Sequence, residues 1–353
     1  MRIKNLNRCA PSICALSVSI AAAMLADCGG PQSPIDAPGV MPQSYAIGTH
    51  VERSGSWMMP EKADGKSILL YVGDSNGFTV SVYDYATGYL VGTLNGFDSP
   101  AGGCVDAVGD IFIANQGDST TLEFRNGGTK PIHRYRAQEG WSGVGCSVNR
   151  EGDLAVSLQP LSSGKASLCV WKAGRERSTC YTDDDCGTMA SPGYDATGNL
   201  YVEGYYYGPA VCELPIGGHA MRTVKITAEG LGNGGVMWDG RHLTLAAWPT
   251  GSQQATSIYR VAESPSGDLA VIGTTVLTDT CNNDSTDVPQ PFIIGRKNTP
   301  VNDRESRTVV GPDYECYAVP IDFWHYPRGG SPSKAWPQTF FPGGVVVSIG
   351  ART

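Results

Sequence analysis

Five glycine-centred turns recur along this chain at a nearly constant interval, and that interval limits the available folds more than any other feature. Gly65, Gly109, Gly152, Gly198 and Gly240 follow one another at spacings of 44, 43, 46 and 42 residues. Each lies between two apolar, strand-like runs. The full copies are CVDAVGDIFIAN (104–115), CSVNREGDLAVSL (146–158), GYDATGNLYVEG (193–204) and VMWDGRHLTLAAW (236–248), and ADGKSILLYVGD (63–74) is a partial one. A period in the low forties is the length of one four-stranded propeller blade. The further strands of each unit are legible as hairpins, in FTVSVYDYATGYLVGTL (78–94), TTLEFRNGGTKPIHRYR (120–136), SLCVWKAGRERSTCYT (167–182) and AVCELPIGGHAMRTVKI (210–226). A sixth unit is less regular. There PFIIG (291–295) reads as a second strand and AVPIDFWHYPRGGSPSKAW (318–336) as a hairpin. With 45 Gly, 23 Pro and only 17% charged residues, the chain suits short strands and tight turns rather than coiled coil or disorder.

The two ends of the repeat region complement each other. No innermost strand precedes Gly65, because SGSWMMPEKAD (54–64) does not read as one. At the other end FPGGVVVSIG (341–350) is a strand without a unit, and its Pro342-Gly343-Gly344-Val345 resembles Pro100-Ala101-Gly102-Gly103-Cys104-Val105. The expectation is an all-β, six-bladed propeller over 57–353, closed by the C-terminal strand at 345–349, with loss of two sheet edges.

The N-terminus carries an address. Arg2, Lys4 and Arg8 precede an apolar run from Ile13 to Leu25, which is short for a bilayer span. Leu25-Ala26-Asp27-Cys28 then gives way to Gly29-Gly30-Pro31. This ending resembles the bacterial lipoprotein signal, although Asp27 departs from the small residue usual before the cysteine. Residues 1–28 are expected to be the signal peptide and lipobox cysteine, with Cys28 the point of membrane attachment. Residues 29–56, with four prolines at 31, 34, 38 and 42, read as a flexible tether. The expected location is the cell envelope.

Eight of the 11 cysteines lie in the repeat region: Cys104, Cys146, Cys169, Cys180, Cys186, Cys212, Cys281 and Cys316. An even number in an exported chain reads as disulfides. Cys104 and Cys146 hold nearly equivalent places in adjacent repeats, and Cys169 faces Cys180 across a hairpin, so these two pairs are expected directly. Cys186–Cys212 and Cys281–Cys316 remain by elimination.

Units such as GNLYVEG (198–204) resemble NHL-type and TolB-like six-bladed propellers. GGTKPI (127–132), GGVMWDG (234–240) and DFWHYPRGG (322–330) resemble phrases of uncharacterised bacterial propeller lipoproteins. The resemblance implies the fold and leaves the activity open, because propellers serve many functions. Gluconolactonase-like members hold a divalent metal near the axis through acidic and Asn residues. Asn115 and Glu203 occupy comparable places, but two residues are fewer than a hard cation needs. No nucleophile elbow, HExxH, P-loop or dinucleotide motif is present, and the five histidines are scattered. Asp183-Asp184-Asp185 lacks the alternating spacing of a calcium loop. No metal or cofactor is therefore expected. A formal charge of −8 without a Lys/Arg run argues against nucleic acid, and a monomer is expected.

Function is expected on the face carrying the loops between second and third strands. Those loops hold Asp74, Ser75, Asn76, Asn115, Gln116, Gln159, Glu203, Tyr205, Tyr206, Tyr207 and Trp248. Aromatic and amide groups around a depression suit a protein, peptide or glycan ligand. Trp57, Trp141, Trp171, Trp238, Trp324 and Trp336 read as packing between blades. Two function classes follow: a binding scaffold, or a propeller enzyme of the lactonase or lyase type with its site at the channel. No catalytic residue can be named for the second.

Overall fold

The computed structural model describes residues 55–232, 234–249, 255–279, 281, 286–288, 290–294, 307–316, 318–338, 340 and 342–349. Cys28 and all but the last two residues of the expected tether lie outside them. Among the described residues no helix is long and apolar enough to cross a membrane.

The described strands form six antiparallel sheets arranged as the blades of a propeller. Blade two is representative. Pro100–Val105 is its innermost strand, followed outward by Ile111–Asn115, Thr120–Phe124 and Pro131–Arg136. Burial falls along this radius. Every residue of Ile111–Asn115 is buried, whereas Pro131–Arg136 is almost wholly exposed. A second strand is covered by neighbouring blades on both faces, which explains why runs such as IFIAN and LTLAA (243–247) are continuously apolar instead of alternating.

The recurring glycine has a physical reason. The inner turns of blades two to five each begin with Asp or Asn, whose side-chain oxygen accepts the turn's backbone N–H groups. Asp106 Oδ1 accepts from Val108 and Asp110 at 3.0 and 2.9 Å. Asn149 Oδ1 accepts from Asp153 at 2.8 Å, and Asp195 Oδ1 accepts from Thr197, Gly198 and Asn199. The glycines at 109, 152, 198 and 240 all have φ between 83° and 97°, the left-handed conformation that only glycine adopts without penalty.

Six apolar clusters, one between each pair of neighbouring blades, hold the ring together. Leu69, Tyr71, Ile111 and Phe124 join blades one and two. Cys104, Leu154 and Trp171 join two and three. Met189, Leu200 and Leu168 join three and four. Val211, Leu245 and Tyr259 join four and five. Ile258, Val309 and Trp324 join five and six, and Leu70, Val310, Phe323 and Val345 join six and one. Blades five and six are also tied by Asp239, 2% exposed, which accepts from Tyr326 Oη at 2.8 Å and pairs with Arg307 at 3.0 Å.

The expected closure by the C-terminal strand is corrected. Pro342–Ile349 does pair antiparallel with Ile68–Asp74, as the innermost strand of blade one. No sheet is closed, however. Each of the six is an open path that ends at an inner and an outer edge strand. The ladders run radially within blades, and the ring is continuous only through side-chain packing between blade faces.

One further reading changes. Phe292–Ile294 is the innermost strand of blade six, not its second, which is Arg307–Pro312. The segment 54–64, read as holding no innermost strand, holds none among its described residues; its Trp57–Met58 instead adds a fifth strand to the outer edge of blade one by pairing with Leu90–Asn95.

The eight cysteines form four disulfides: Cys104–Cys146, Cys169–Cys180, Cys186–Cys212 and Cys281–Cys316. The first joins the innermost strands of blades two and three, with the Cα atoms 5.5 Å apart. The second links directly opposed residues of adjacent strands in blade three.

Candidate functional site

Glycines on the innermost strands let neighbouring backbones approach closely around the axis. A Cβ on Gly344 would lie 2.9 Å from the Cα of Gly102 in the next blade, and one on Gly145 would lie 3.0 Å from the Cα of Ser191. Neither position accepts a side chain without backbone movement. Gln290 adds a polar crossing at this waist. Its Nε2 reaches from blade six to the Val144 carbonyl of blade three at 3.5 Å.

On the side of the waist that faces the inner turns, a cavity of about 270 Å³ opens along the axis. Every blade contributes to its wall, which is largely apolar: Val105, Val148, Trp238, Phe292, Val345 and Val347. Tyr194 also faces it, and burial pushes its phenol well above the ordinary range. The mouth carries Asp106, Ala107, Asn149, Arg150, Asp195 and Ala196.

Several of the polar groups in this lining are already engaged. Asp106 and Asp195 already accept backbone N–H groups of their own turns. Cys104 and Cys146 are in the wall but are bridged, so neither offers a thiolate. Among the described residues, no histidine lines the cavity. The exposed Arg150 guanidinium is the one cation at the mouth among the described residues.

The residues expected to form a binding face lie elsewhere, none of them in this lining. Asp74 closes its own turn by accepting from Asn76 and Gly77 N–H, and Ser75 Oγ donates to the Pro100 carbonyl. Asn115 and Glu203 are fully buried, which corrects their placement on an open surface. Asn115 Oδ1 accepts from Asp98 N at 2.6 Å. Glu203 Oε2 accepts from Gly232 N at 2.9 Å, and its Oε1 has no partner. Burial pushes the Glu203 carboxyl up to about 8, against the pull of backbone hydrogen bonds from Gly232 and Gly234. Gln116 is half-buried beside Ser99, and Gln159 Nε2 donates to the Met189 carbonyl. The Trp248 indole N–H is buried without a partner.

Tyr205, Tyr206 and Tyr207 do form an exposed patch, with Tyr207 86% exposed. Tyr206 and Tyr207 meet edge to face at 4.5 Å, and the Lys165 ammonium lies 5.9 Å from the Tyr206 ring. This patch belongs to blade four alone. Trp238, read as inter-blade packing, is instead a cavity wall. Asp183 lies near Cys186 and Cys212, but their sulfurs are bridged, so one carboxylate is left and no cation site results.

No protein-family model matches the chain, and no curated protein matches it by sequence. Solved structures do. A protein of unknown function from Bacteroides caccae superposes with a TM-score of 0.55 at 10% identity, covering 80% of this chain and 99% of that one. A chain of a nidogen–laminin complex gives 0.58 at 12% identity, over 81% and 100%. Hydrazine synthase of Kuenenia stuttgartiensis gives 0.51 at 13%, over 80% of each chain. The fold is a six-bladed β-propeller. At these identities the likeness carries the fold alone.

Proposed function

We propose that this propeller is a binding protein that takes an apolar or amphipathic small ligand, or an exposed apolar peptide side chain, into its axial cavity. The observation that carries the reading is the cavity itself: apolar walls drawn from six blades, an aromatic face from Trp238 and Phe292, and a polar mouth. We further propose that the protein works at the cell envelope, lipid-anchored through Cys28. Four disulfides support an oxidising compartment. A lactonase or lyase would need a base or metal at the axis, and the residues considered for that role, Asn115 and Glu203, are buried away from the cavity.

The test is a thermal-shift screen of a metabolite and dipeptide library against wild type, Ala107→Trp and Tyr206→Ala. Ala107 is an exposed mouth residue, so an indole there obstructs entry without disturbing the core. Ligands lost in Ala107→Trp and retained in Tyr206→Ala support the axial site. The reverse pattern moves binding to the tyrosine patch, and turnover of lactone substrates by wild type would replace the binding reading with the enzymatic one.

A further inference from the structure

The waist that floors the axial cavity is built of closely approaching backbone, with a side chain laid across it. Gln290 stands two residues before Phe292–Ile294, the innermost strand of blade six. Its Nε2 donates to the Val144 carbonyl of blade three. Blades three and six are opposite one another in the ring of six. The Gln290 Oε1 lies where a side chain on Gly102 of blade two would stand. A Cβ there would be 3.2 Å from Gln290 Cδ and 2.9 Å from the Val144 oxygen. A side chain that leaves blade six and meets both blade two and blade three has crossed the axis, and the absent Cβ of Gly102 is what admits it.

The hydrogen bonding of this amide is incomplete. A glutamine amide offers two N–H donors and a carbonyl with two lone pairs. One N–H is used here, in a bond of 3.5 Å, longer than the usual limit of about 3.2 Å. Among the described residues nothing donates to Oε1. Gln290 lines the cavity, and its oxygen is not sealed off by protein as the orphan oxygen of Glu203 is. A second polar group sits one residue along the same blade-three strand. The Ser191 hydroxyl takes the space of the missing Gly145 side chain and also lines the cavity, with no hydrogen bond of its own among the described residues. The charged residues of the lining, Asp106, Arg150 and Asp195, belong to the inner turns at the other end. The cavity therefore has apolar walls above a floor that is polar and uncharged.

We propose that Gln290 selects the ligand: the cavity takes a compact apolar molecule with one uncharged hydrogen-bonding head, a hydroxyl or a carboxamide, held head-down against the Gln290 amide. This rests on the axial-cavity reading above and narrows it. The head supplies the donor that Oε1 lacks, and Ser191 offers it a second partner. A purely apolar molecule of the same shape displaces water from the amide and returns nothing, which leaves a buried polar group unpaired. A carboxylate or ammonium head is stripped of water at the floor with no opposite charge beside it.

The experiment titrates molecules of one shape into the full-length chain by calorimetry: benzyl alcohol, benzamide, toluene, benzoate and benzylammonium. Cys28→Ser is the common background, so that no acyl chain or detergent competes for the cavity. Benzyl alcohol and benzamide should bind at least about tenfold more tightly than toluene, the cost of one unpaired amide. The two ions should bind more weakly than toluene. Gln290→Met, close to glutamine in length and volume, should bring benzyl alcohol and toluene to within about threefold of each other. Toluene binding as tightly as the alcohol when Gln290 is present overturns the inference and leaves the cavity reading intact, and that comparison needs no variant to fold. An unchanged preference for the alcohol in folded Gln290→Met also overturns it, because the head then meets another residue. Binding of none of these molecules overturns it as well. Binding that survives Ala107→Trp lies outside the cavity and overturns the cavity reading together with the inference.

Discussion

Replacing Cys104 and Cys146 together by alanine should be among the most damaging changes that leave the cavity mouth untouched. The bond joins innermost strands of two blades, and the residues are 42 apart in sequence. In the chain-entropy treatment, a loop of that length contributes about 4 kcal/mol by restricting the unfolded chain. The sulfurs are also packed: Cys104 and Cys146 are 7% and 4% exposed, among Phe112, Leu154, Val156 and Trp171. Loss of those contacts adds about 1 kcal/mol. The pair Cys169 and Cys180 is the internal control. It spans only 11 residues and lies between the third and fourth strands of one blade, already paired in register, so its loop contribution is about 3 kcal/mol. Urea unfolding followed by circular dichroism without reductant should therefore show a loss of about 5 kcal/mol for the first double variant and less for the second. Ligand binding in the cavity should weaken in the first only, because that disulfide lies in the wall. A loss below about 2 kcal/mol, or a larger loss for Cys169/Cys180, would refute the reasoning.

Three other outcomes can be checked by the same urea unfolding. Glu203 keeps its proton in the folded state up to about 8 while the unfolded chain releases it near 4.5, so its burial costs nothing below pH 4.5 and progressively destabilises the fold as pH rises to 8. Glu203→Gln should thus match wild type at pH 4 and exceed it by roughly 3 kcal/mol at pH 7, with no pH-dependent gain if the carboxyl were ionised in the fold. Asp239→Ala removes the acceptor shared by Tyr326 and Arg307 between blades five and six and should cost about 3–5 kcal/mol, while Asp239→Asn, which keeps the turn's acceptor oxygen, should cost less. Burial alone would raise the Asp239 carboxyl. Hydrogen bonds from His242, Arg241 and Tyr326 and the Arg307 charge hold it below 3.8, so its contribution should persist to that pH and fade only in stronger acid. Gly344→Ala places a Cβ against Gly102 and should destabilise by about 1–3 kcal/mol, whereas the same change at Gly96, where nothing lies within 4 Å but φ is +88°, should show only backbone strain.

The blade count was legible because one blade is a local object. Its turn chemistry sits inside a dozen residues, Asp106 to Gly109 or Asp195 to Gly198, and repeats at the blade's own length. The pairing of Cys169 with Cys180 follows from hairpin register for the same reason. Blade six was misread because PFIIG lacks an adjoining Asx–Gly turn, the marker that located the other inner strands, and the neighbouring 295–306 lie outside the described residues. The site was not legible at all. Its wall takes one or two valines or aromatics from each of six blades some forty residues apart, and none of these differs in type from ordinary core residues. Sequence pointed to Asn115 and Glu203 because their places in the repeat put them near the axis and the loops after the second strand, but in the folded ring both are fully buried. What the sequence by itself determined was the repeating unit and its local hydrogen bonds, since those are decided within a few residues. Where the axial cavity lies and how the ring holds together without a closed sheet were decided by the packing of blade against blade, an arrangement of distant segments that no single stretch of chain contains.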